Sequence, residues 1–130
     1  MPYKTGLWVP QAKERNKKRF SKSIGKIGEL EALKILGVNE KLDRYSGADI
    51  KWNNKLVEVK TSMPNRKYGY WKFLLYKQKN KVDYFLTICK DIIGKTKYVF
   101  LIPDKKLPRN NLIITNSNLI KYKKFLLEVR

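Results

Sequence analysis

The order of the predicted segments indicates an α/β or α+β domain, in which a central mixed β-sheet is flanked by helices. Three observations lead to this prediction: a helix-like segment that begins near residue 23, an Asn-Asn hairpin turn after it, and two apolar runs typical of strands buried inside a sheet. The length of 130 residues fits one domain. We therefore divide the chain into a basic N-terminal arm, residues 1–22, and a single domain, residues 23–130.

The first element of the domain is a predicted helix with the sequence SIGKIGELEALKILG. Ser23 suits the N-cap position, and Gly37 is typical of a helix stop. We expect this helix to be heavily buried because apolar side chains surround much of it, namely Ile24, Ile27, Leu30, Leu33, Ile35 and Leu36.

A hairpin follows, with Asn53 and Asn54 between the strand-like runs GADIKW and KLVEVKTS. Asparagine tolerates the positive φ of a type I′ turn. This turn places Asp49 opposite Glu58. Because side chains alternate along a strand, the Lys60 side chain projects from the same face as both. A turn one residue later would set Asp49 opposite Lys60 and still keep all three on one face. The other face is predicted core, formed by Ile50, Trp52, Val57 and Val59.

The remaining elements follow from shorter patterns. The run WKFLLYKQ fits a helix and a strand equally well, whereas DYFLTIC and KYVFLIP predict buried strands joined by KDIIGKT. The tail predicts a short LIIT strand and then a helix, SNLIKYKKFLLEV. We expect Trp71 and Phe73 to lie in the core and Cys89 to be an ordinary buried residue.

The charge of the chain favours a polyanionic partner. Lys and Arg number 30 against 11 Asp and Glu, with no His, which gives +19. Such an excess favours nucleic acid, because neutralising phosphates releases counterions. Residues 1–28 sum to +7 and residues 63–130 to +12, while residues 29–62 are neutral and hold six of the eleven acids. We therefore expect the catalytic or metal-binding residues to lie in this neutral segment.

Composition also excludes several classes of site. One Cys and no His exclude an internal disulfide, the common zinc motifs and every histidine-dependent triad. Any chemistry must use carboxylates, lysines and a hard metal. No apolar run is long enough to span a membrane, and the N-terminus lacks an apolar signal core. We therefore expect a soluble, cytoplasmic and DNA-associated protein with no membrane partner.

Two carboxylates that face each other across a hairpin need a compensating positive charge, because like charges at that spacing are destabilising. Mg²⁺ or Mn²⁺ would supply it through oxygen ligands. A lysine on the same face, here Lys60, could orient or deprotonate a water, or stabilise charge on a phosphate. The hairpin therefore carries the parts that phosphodiester hydrolysis requires.

Asp49, eight residues and then Glu58-Val59-Lys60 resemble the signature of the PD-(D/E)XK nucleases, the restriction-endonuclease-like superfamily. Ala48 stands where the family's proline precedes the aspartate. The preceding helix and the strand order are also similar to this family, over roughly residues 23–103. The resemblance implies a restriction-endonuclease-like core in which Asp49, Glu58 and the Val59 carbonyl bind Mg²⁺ or Mn²⁺ and Lys60 is the catalytic lysine.

The same resemblance implies a glutamate from the preceding helix, which completes the metal site directly or through water. Helical-wheel arithmetic does not choose between Glu29 and Glu31. We prefer Glu29 because its position resembles the G-x-x-G-E arrangement of junction resolvases. Gln78 resembles a polar residue that some members add after the catalytic strand.

The expected function is therefore metal-dependent endonucleolytic hydrolysis of DNA, duplex or branched, by a Holliday junction resolvase-like enzyme. Homodimerisation is implied by resemblance alone. The alternatives are a restriction, homing or repair endonuclease of the same superfamily, or a non-catalytic basic protein that binds nucleic acid. Basic residues of the arm and of the segment after the hairpin are expected to contact DNA: Lys13, Arg15, Lys17, Lys18, Arg19, Arg66, Lys67 and Lys72.

Overall fold

The structure is a computed structural model, and it describes residues 24–38, 42 and 48–129. Its first helix, α1, spans residues 24–36. Seven strands follow, with a short helix α2 and two 3₁₀ turns among them. In chain order the elements after α1 are β1 Ile50–Trp52, β2 Lys55–Ser62, β3 Trp71–Leu74, β4 Tyr84–Lys90, β5 Thr96–Pro103, a 3₁₀ turn Asp104–Lys106, β6 Asn111–Ile114, α2 Leu119–Tyr122, a 3₁₀ turn Lys123–Phe125 and β7 Leu126–Val129.

Helix α1 ends at Gly37, as the sequence predicts, in a left-handed turn. Gly37 has φ of 71°, a conformation that glycine adopts without a Cβ penalty. Its N–H donates to the Lys34 carbonyl, and the Val38 N–H donates to the Leu33 carbonyl at 3.0 Å. This is the Schellman arrangement, which satisfies carbonyls that the helix leaves unpaired. The predicted N-cap, Ser23, lies outside the described residues.

The hairpin forms with the predicted register. Asn53 and Asn54 both have positive φ, 47° and 66°, as a type I′ turn requires. Ile50 pairs with Val57, and Trp52 pairs with Lys55. The face predicted as core is confirmed, since its residues Ile50, Val57 and Val59 are buried and Trp52 is partly buried.

The protein is an α+β structure around a mixed sheet. Five strands lie in the order β1-β2-β4-β5-β7. The β2–β4 pair is parallel, and the β1–β2, β4–β5 and β5–β7 pairs are antiparallel. Strands β3 and β6 pair with each other in a second, two-stranded sheet. The ambiguous run WKFLLYKQ is therefore a strand over Trp71–Leu74 that pairs outside the central sheet.

The two faces of the central sheet carry two separate apolar clusters. Helix α1 covers one face, where Ala32 and Leu33 pack with Val57, Val59 and Ile88. The second sheet covers the other face, in a cluster that includes Trp71, Phe73, Phe85, Cys89 and Phe100. The predictions of core positions for Trp71 and Phe73 and of a buried Cys89 are confirmed. Burial raises the pKa of the Cys89 thiol far above its usual range.

The prediction that α1 is heavily buried was wrong. Ile27 and Leu30 are 56% and 54% exposed, whereas Ala32 is fully buried. A helix that packs on one face of a sheet buries only the stripe that faces the strands, and residues four apart share that stripe. Gly28 and Ala32 form the buried stripe here.

The prediction of a C-terminal helix over SNLIKYKKFLLEV was also wrong. Within the described part of this segment only Leu119–Tyr122 is α-helical, and Leu126–Val129 forms strand β7, which pairs with β5. Pairing with β7 satisfies backbone groups of β5 that would otherwise form an open edge. Lysines 121 and 124, three residues apart, would also repel each other along one helix face. Tertiary pairing therefore overrides the apolar pattern of the segment.

None of the helices in the described ranges combines the length and the hydropathy that crossing a bilayer requires.

Candidate functional site

The hairpin brings Asp49 and Glu58 together at the beginning of β1. The Asp49 N–H donates to the Val57 carbonyl at 3.0 Å, which anchors this residue beside β2 just before β1 begins. Its Oδ2 accepts the Val59 N–H at 2.9 Å. These two hydrogen bonds reach the residues on either side of Glu58, and the Asp49 and Glu58 carboxyl groups are close enough for each to affect the ionisation of the other. Backbone geometry therefore brings the two carboxyl groups close together.

Burial and like charge disfavour ionisation of this pair. Burial raises the pKa of Glu58 to about 7, with a further contribution from the negative charge of Asp49. The pKa of Asp49 is also raised, first by burial and then by the charge of Glu29, although the hydrogen bond from Val59 opposes the shift. A nearby cation would favour ionisation of both groups, so the pair suits a positively charged ligand.

Lys60 is the basic member of the site. Its Nζ lies 3.3 Å from Oε2 of Glu58, and its side chain is partly open to solvent. Glu58 and Lys60 are two residues apart in β2 and project from the same face of the strand. We refer to Asp49, Glu58 and Lys60 as the site cluster. It combines two carboxylates with one lysine beside a solvent-accessible edge.

The two helix glutamates have different surroundings. The charge of Glu29 acts on Asp49 closely enough to raise its pKa. Glu31 instead accepts hydrogen bonds from Lys90 Nζ at 2.9 Å and from Thr96 Oγ1 at 2.5 Å. Of the two carboxylates that the helical wheel left open, Glu29 is therefore the one that acts on the site cluster.

Close packing of α1 on β2 places Glu29 near the hairpin. A Cβ at position 28 would overlap Oγ1 of Thr61, so only glycine allows this approach. Thr61 lies in β2 on the face that α1 covers, next in alternation after Val59. The first glutamate after Gly28 is therefore carried close to the strand that holds Glu58.

The donor chemistry of the site fits a hard divalent cation. Carboxylate oxygens and a backbone carbonyl, such as that of Val59, are the ligands that Mg²⁺ and Mn²⁺ prefer. Within the described residues, no three Asp, Glu, Cys or His side chains converge as a ready-made metal centre. The site cluster thus offers two carboxylates, Asp49 and Glu58, to which Glu29 stands as a charged neighbour.

The predicted DNA-binding residues fall into two groups. Arg66, Lys67 and Lys72 are exposed and lie on or beside the loop 63–70, which follows β2. The predicted arm residues lie outside the described part of the chain: Lys13, Arg15, Lys17, Lys18 and Arg19. Gln78 lies in the turns after β3, where its Oε1 is buried and has no hydrogen-bond partner among the described residues.

Sequence reasoning missed Thr87, which borders the site. Thr87 pairs in register with Lys60 across the parallel β2–β4 ladder, and paired residues project from the same face. It is fully buried, and its Oγ1 has no hydrogen-bond partner in the described part of the structure. A polar residue in the middle of the apolar run DYFLTIC was the available signal.

The chain matches no known protein family and no curated protein sequence. The arrangement of its own residues is therefore the basis for assigning a function.

Proposed function

We propose that this protein is a metal-dependent DNA endonuclease of the PD-(D/E)XK type with a restriction-endonuclease-like core. The observation that carries the proposal is the site cluster: Asp49 is hydrogen-bonded to the backbone on both sides of Glu58, and Lys60 lies 3.3 Å from Glu58. A salt bridge needs only one carboxylate per lysine. The second, partly buried carboxylate is the feature that favours a cation-binding role over a structural one.

In this proposal Asp49, Glu58 and the carbonyl of Val59 hold Mg²⁺ or Mn²⁺, and Glu29 supports the ion directly or through water. The bound metal supplies Lewis acidity toward a phosphoryl oxygen. Lys60 orients the attacking water and offsets negative charge that develops on the phosphate. Asp49 is positioned for its role because the Val59 N–H fixes its Oδ2.

The order of elements supports the same assignment. A helix, an antiparallel hairpin, a parallel neighbour and a further antiparallel strand follow one another as α1, β1–β2, β4 and β5. This order is similar to the core of the restriction-endonuclease-like superfamily, in which the acidic hairpin carries the active site. The similarity concerns arrangement alone, and the site cluster carries the chemical argument.

The charge of the chain supports DNA as the substrate. A protein with a net charge of +19 binds a polyanion strongly, and that affinity falls steeply as salt rises. The small size and strong charge favour a structure-selective enzyme of the Holliday junction resolvase kind, and the resemblance to that family alone suggests a homodimer that cuts both strands. A restriction, homing or repair endonuclease would use the same site.

Cleavage assays with three substrates test the proposal. Labelled linear duplex, supercoiled plasmid and a four-way junction are incubated with and without Mg²⁺, using wild type, Glu58→Ala and Asp49→Asn. We expect Mg²⁺-dependent cleavage by wild type only, while both variants still bind DNA. Lys51→Ala is the matched control, because Lys51 is an exposed lysine of the same hairpin. Absence of metal-dependent cleavage of all three substrates would instead identify a non-catalytic nucleic-acid-binding protein.

A further inference from the structure

The loop 63–70 begins beside the site cluster. Ser62, the last residue of β2, shares a strand face with Glu58 and Lys60, and two strand residues span about 7 Å. Its hydroxyl accepts the Lys72 N–H at 3.3 Å, so the start of β3 is tied back to the end of β2. The loop therefore leaves and returns on the side of the sheet that carries the site.

Asn65 holds this loop in one conformation. Its Oδ1 accepts the N–H groups of Lys67 at 3.0 Å and Tyr68 at 2.8 Å. Its own N–H donates to the Tyr70 carbonyl, and its carbonyl accepts the Gly69 N–H, both at 2.7 Å. Four hydrogen bonds to one residue order the loop before any ligand binds, which lowers the entropic cost of binding.

The ordered loop presents an aromatic ring and cations to solvent. Tyr68 is 69% exposed, and its ring lies parallel to that of Tyr70, with centroids 6.3 Å apart. The Lys67 ammonium is 5.2 Å from the centroid of the Tyr68 ring, and Arg66 is exposed beside it. Exposed aromatic rings interleaved with basic side chains suit nucleic acid, because the ring stacks on a base while the cations contact phosphates.

We propose that the loop 63–70 is a stacking platform for an unpaired DNA base, with Tyr68 as the contacting ring. Bases inside a continuous duplex already stack on their neighbours and present no free face, whereas the unpaired bases of a fork do. The substrate of the site is then DNA that carries unpaired nucleotides close to the cleaved bond. This inference rests on the proposed function, because it names the substrate class of the same site.

Binding without metal tests the platform independently of cleavage. Fluorescence anisotropy in EDTA compares a fork with unpaired arms and a continuous duplex of the same length, for wild type, Tyr68→Leu and Tyr68→Phe. Tyr76→Leu is the matched control, since Tyr76 is similarly exposed, at 55%, outside the loop. We expect Tyr68→Leu to weaken fork binding about tenfold without changing duplex binding. Tyr68→Phe and Tyr76→Leu should bind both like wild type.

A second readout locates the base. 2-Aminopurine at the first unpaired position of the fork should lose fluorescence on binding wild type or Tyr68→Phe, but not Tyr68→Leu. Equal loss of fork and duplex affinity in Tyr68→Leu, or unchanged affinity for both, would overturn the platform even if Mg²⁺-dependent cleavage is observed. Absence of cleavage with the Tyr68-dependent fork preference intact would overturn the proposed endonuclease and support the platform.

Discussion

Two of the clusters that join a carboxylate to a lysine among the described residues differ in their chemistry. In the closed cluster, formed by Glu31, Lys90 and Thr96, the Glu31 carboxylate accepts hydrogen bonds from the lysine and the threonine, and the threonine hydroxyl bonds to both. The site cluster sets two carboxylates against one lysine. Buried charges are stable when they are paired and hydrogen-bonded, as in the closed cluster. The excess of carboxylate in the site cluster is what the proposed metal ion would offset.

The largest expected effect concerns Lys60. Lys60→Met should lower the single-turnover cleavage rate by about 10²- to 10⁴-fold, because proton transfer and charge stabilisation at the phosphate are lost. Single-turnover kinetics at saturating enzyme measure this rate without interference from DNA affinity.

Lys51→Met is the control for lost positive charge in the hairpin. This variant should leave the cleavage rate at saturating enzyme within about twofold of wild type. Lys51 is not expected to take part in proton transfer, the loss of which lowers a rate far more. Equal losses of the cleavage rate at saturating enzyme in both lysine variants would show that positive charge anywhere in the hairpin, rather than a specific role of Lys60, sets the rate.

Substitutions in the closed cluster should lower the free energy of unfolding rather than the cleavage rate. Lys90→Met removes a buried cation that Glu31 contacts at 2.9 Å, and breaking a buried ion pair typically costs about 3–5 kcal/mol of unfolding free energy. Urea denaturation followed by circular dichroism measures the loss. The double variant Lys90→Met with Glu31→Leu should recover most of it, because both charges of the pair are then removed together. Failure of the double variant to recover would show that packing, rather than charge pairing, sets the cost.

The site cluster should make metal-free stability fall as pH rises. The pKa of Glu58 is about 7 in the folded protein against an ordinary value of 4.5, so the folded state binds more protons between these values. Stability is therefore greatest below pH 4.5 with respect to this group and declines up to about pH 7, by roughly 3 kcal/mol. The raised pKa of Asp49 acts in the same direction.

Glu58→Gln tests the source of this pH dependence. Unfolding in EDTA across this pH range should give a flatter profile for the variant than for wild type, since an amide does not ionise. An unchanged slope would mean that other groups dominate the titration.

The smallest expected effect is stabilisation by the metal itself. Mg²⁺ at ten times its dissociation constant should raise the unfolding free energy of wild type by about 1.4 kcal/mol, because only the folded state holds the ligands together. Thermal melts with Mg²⁺ and with EDTA measure the shift at neutral pH. Asp49→Asn should show little of it, and Lys90→Met should retain it. A shift of equal size in all three proteins would indicate ion binding elsewhere.

The comparison of the two clusters also shows which features can be predicted from sequence. The hairpin could be predicted from two residues, Asn53 and Asn54, because a two-residue turn fixes the register and strand alternation then fixes the faces. Asp49, Glu58 and Lys60 could be grouped for this reason. Local geometry was enough for the site cluster.

Features that depend on distant parts of the chain could not be predicted. The closed cluster joins residues 59 and 65 positions apart, and no local pattern encodes that meeting. The terminal strand β7 likewise forms because β5 offers an edge for pairing. The choice between Glu29 and Glu31 required knowing which stripe of α1 faces the sheet, and Gly28 marks that stripe only once the packing is seen.

The contact between Gly28 and Thr61 makes α1 and β2 a single mechanical unit. No side chain projects from the helix at this point, so its backbone lies directly against the Thr61 side chain. A larger residue at position 28 would push α1 away from β2 unless Thr61 shifts, and Glu29 would move away from the acidic hairpin with it. The absence of one Cβ thus sets how closely the helix carboxylate approaches Asp49.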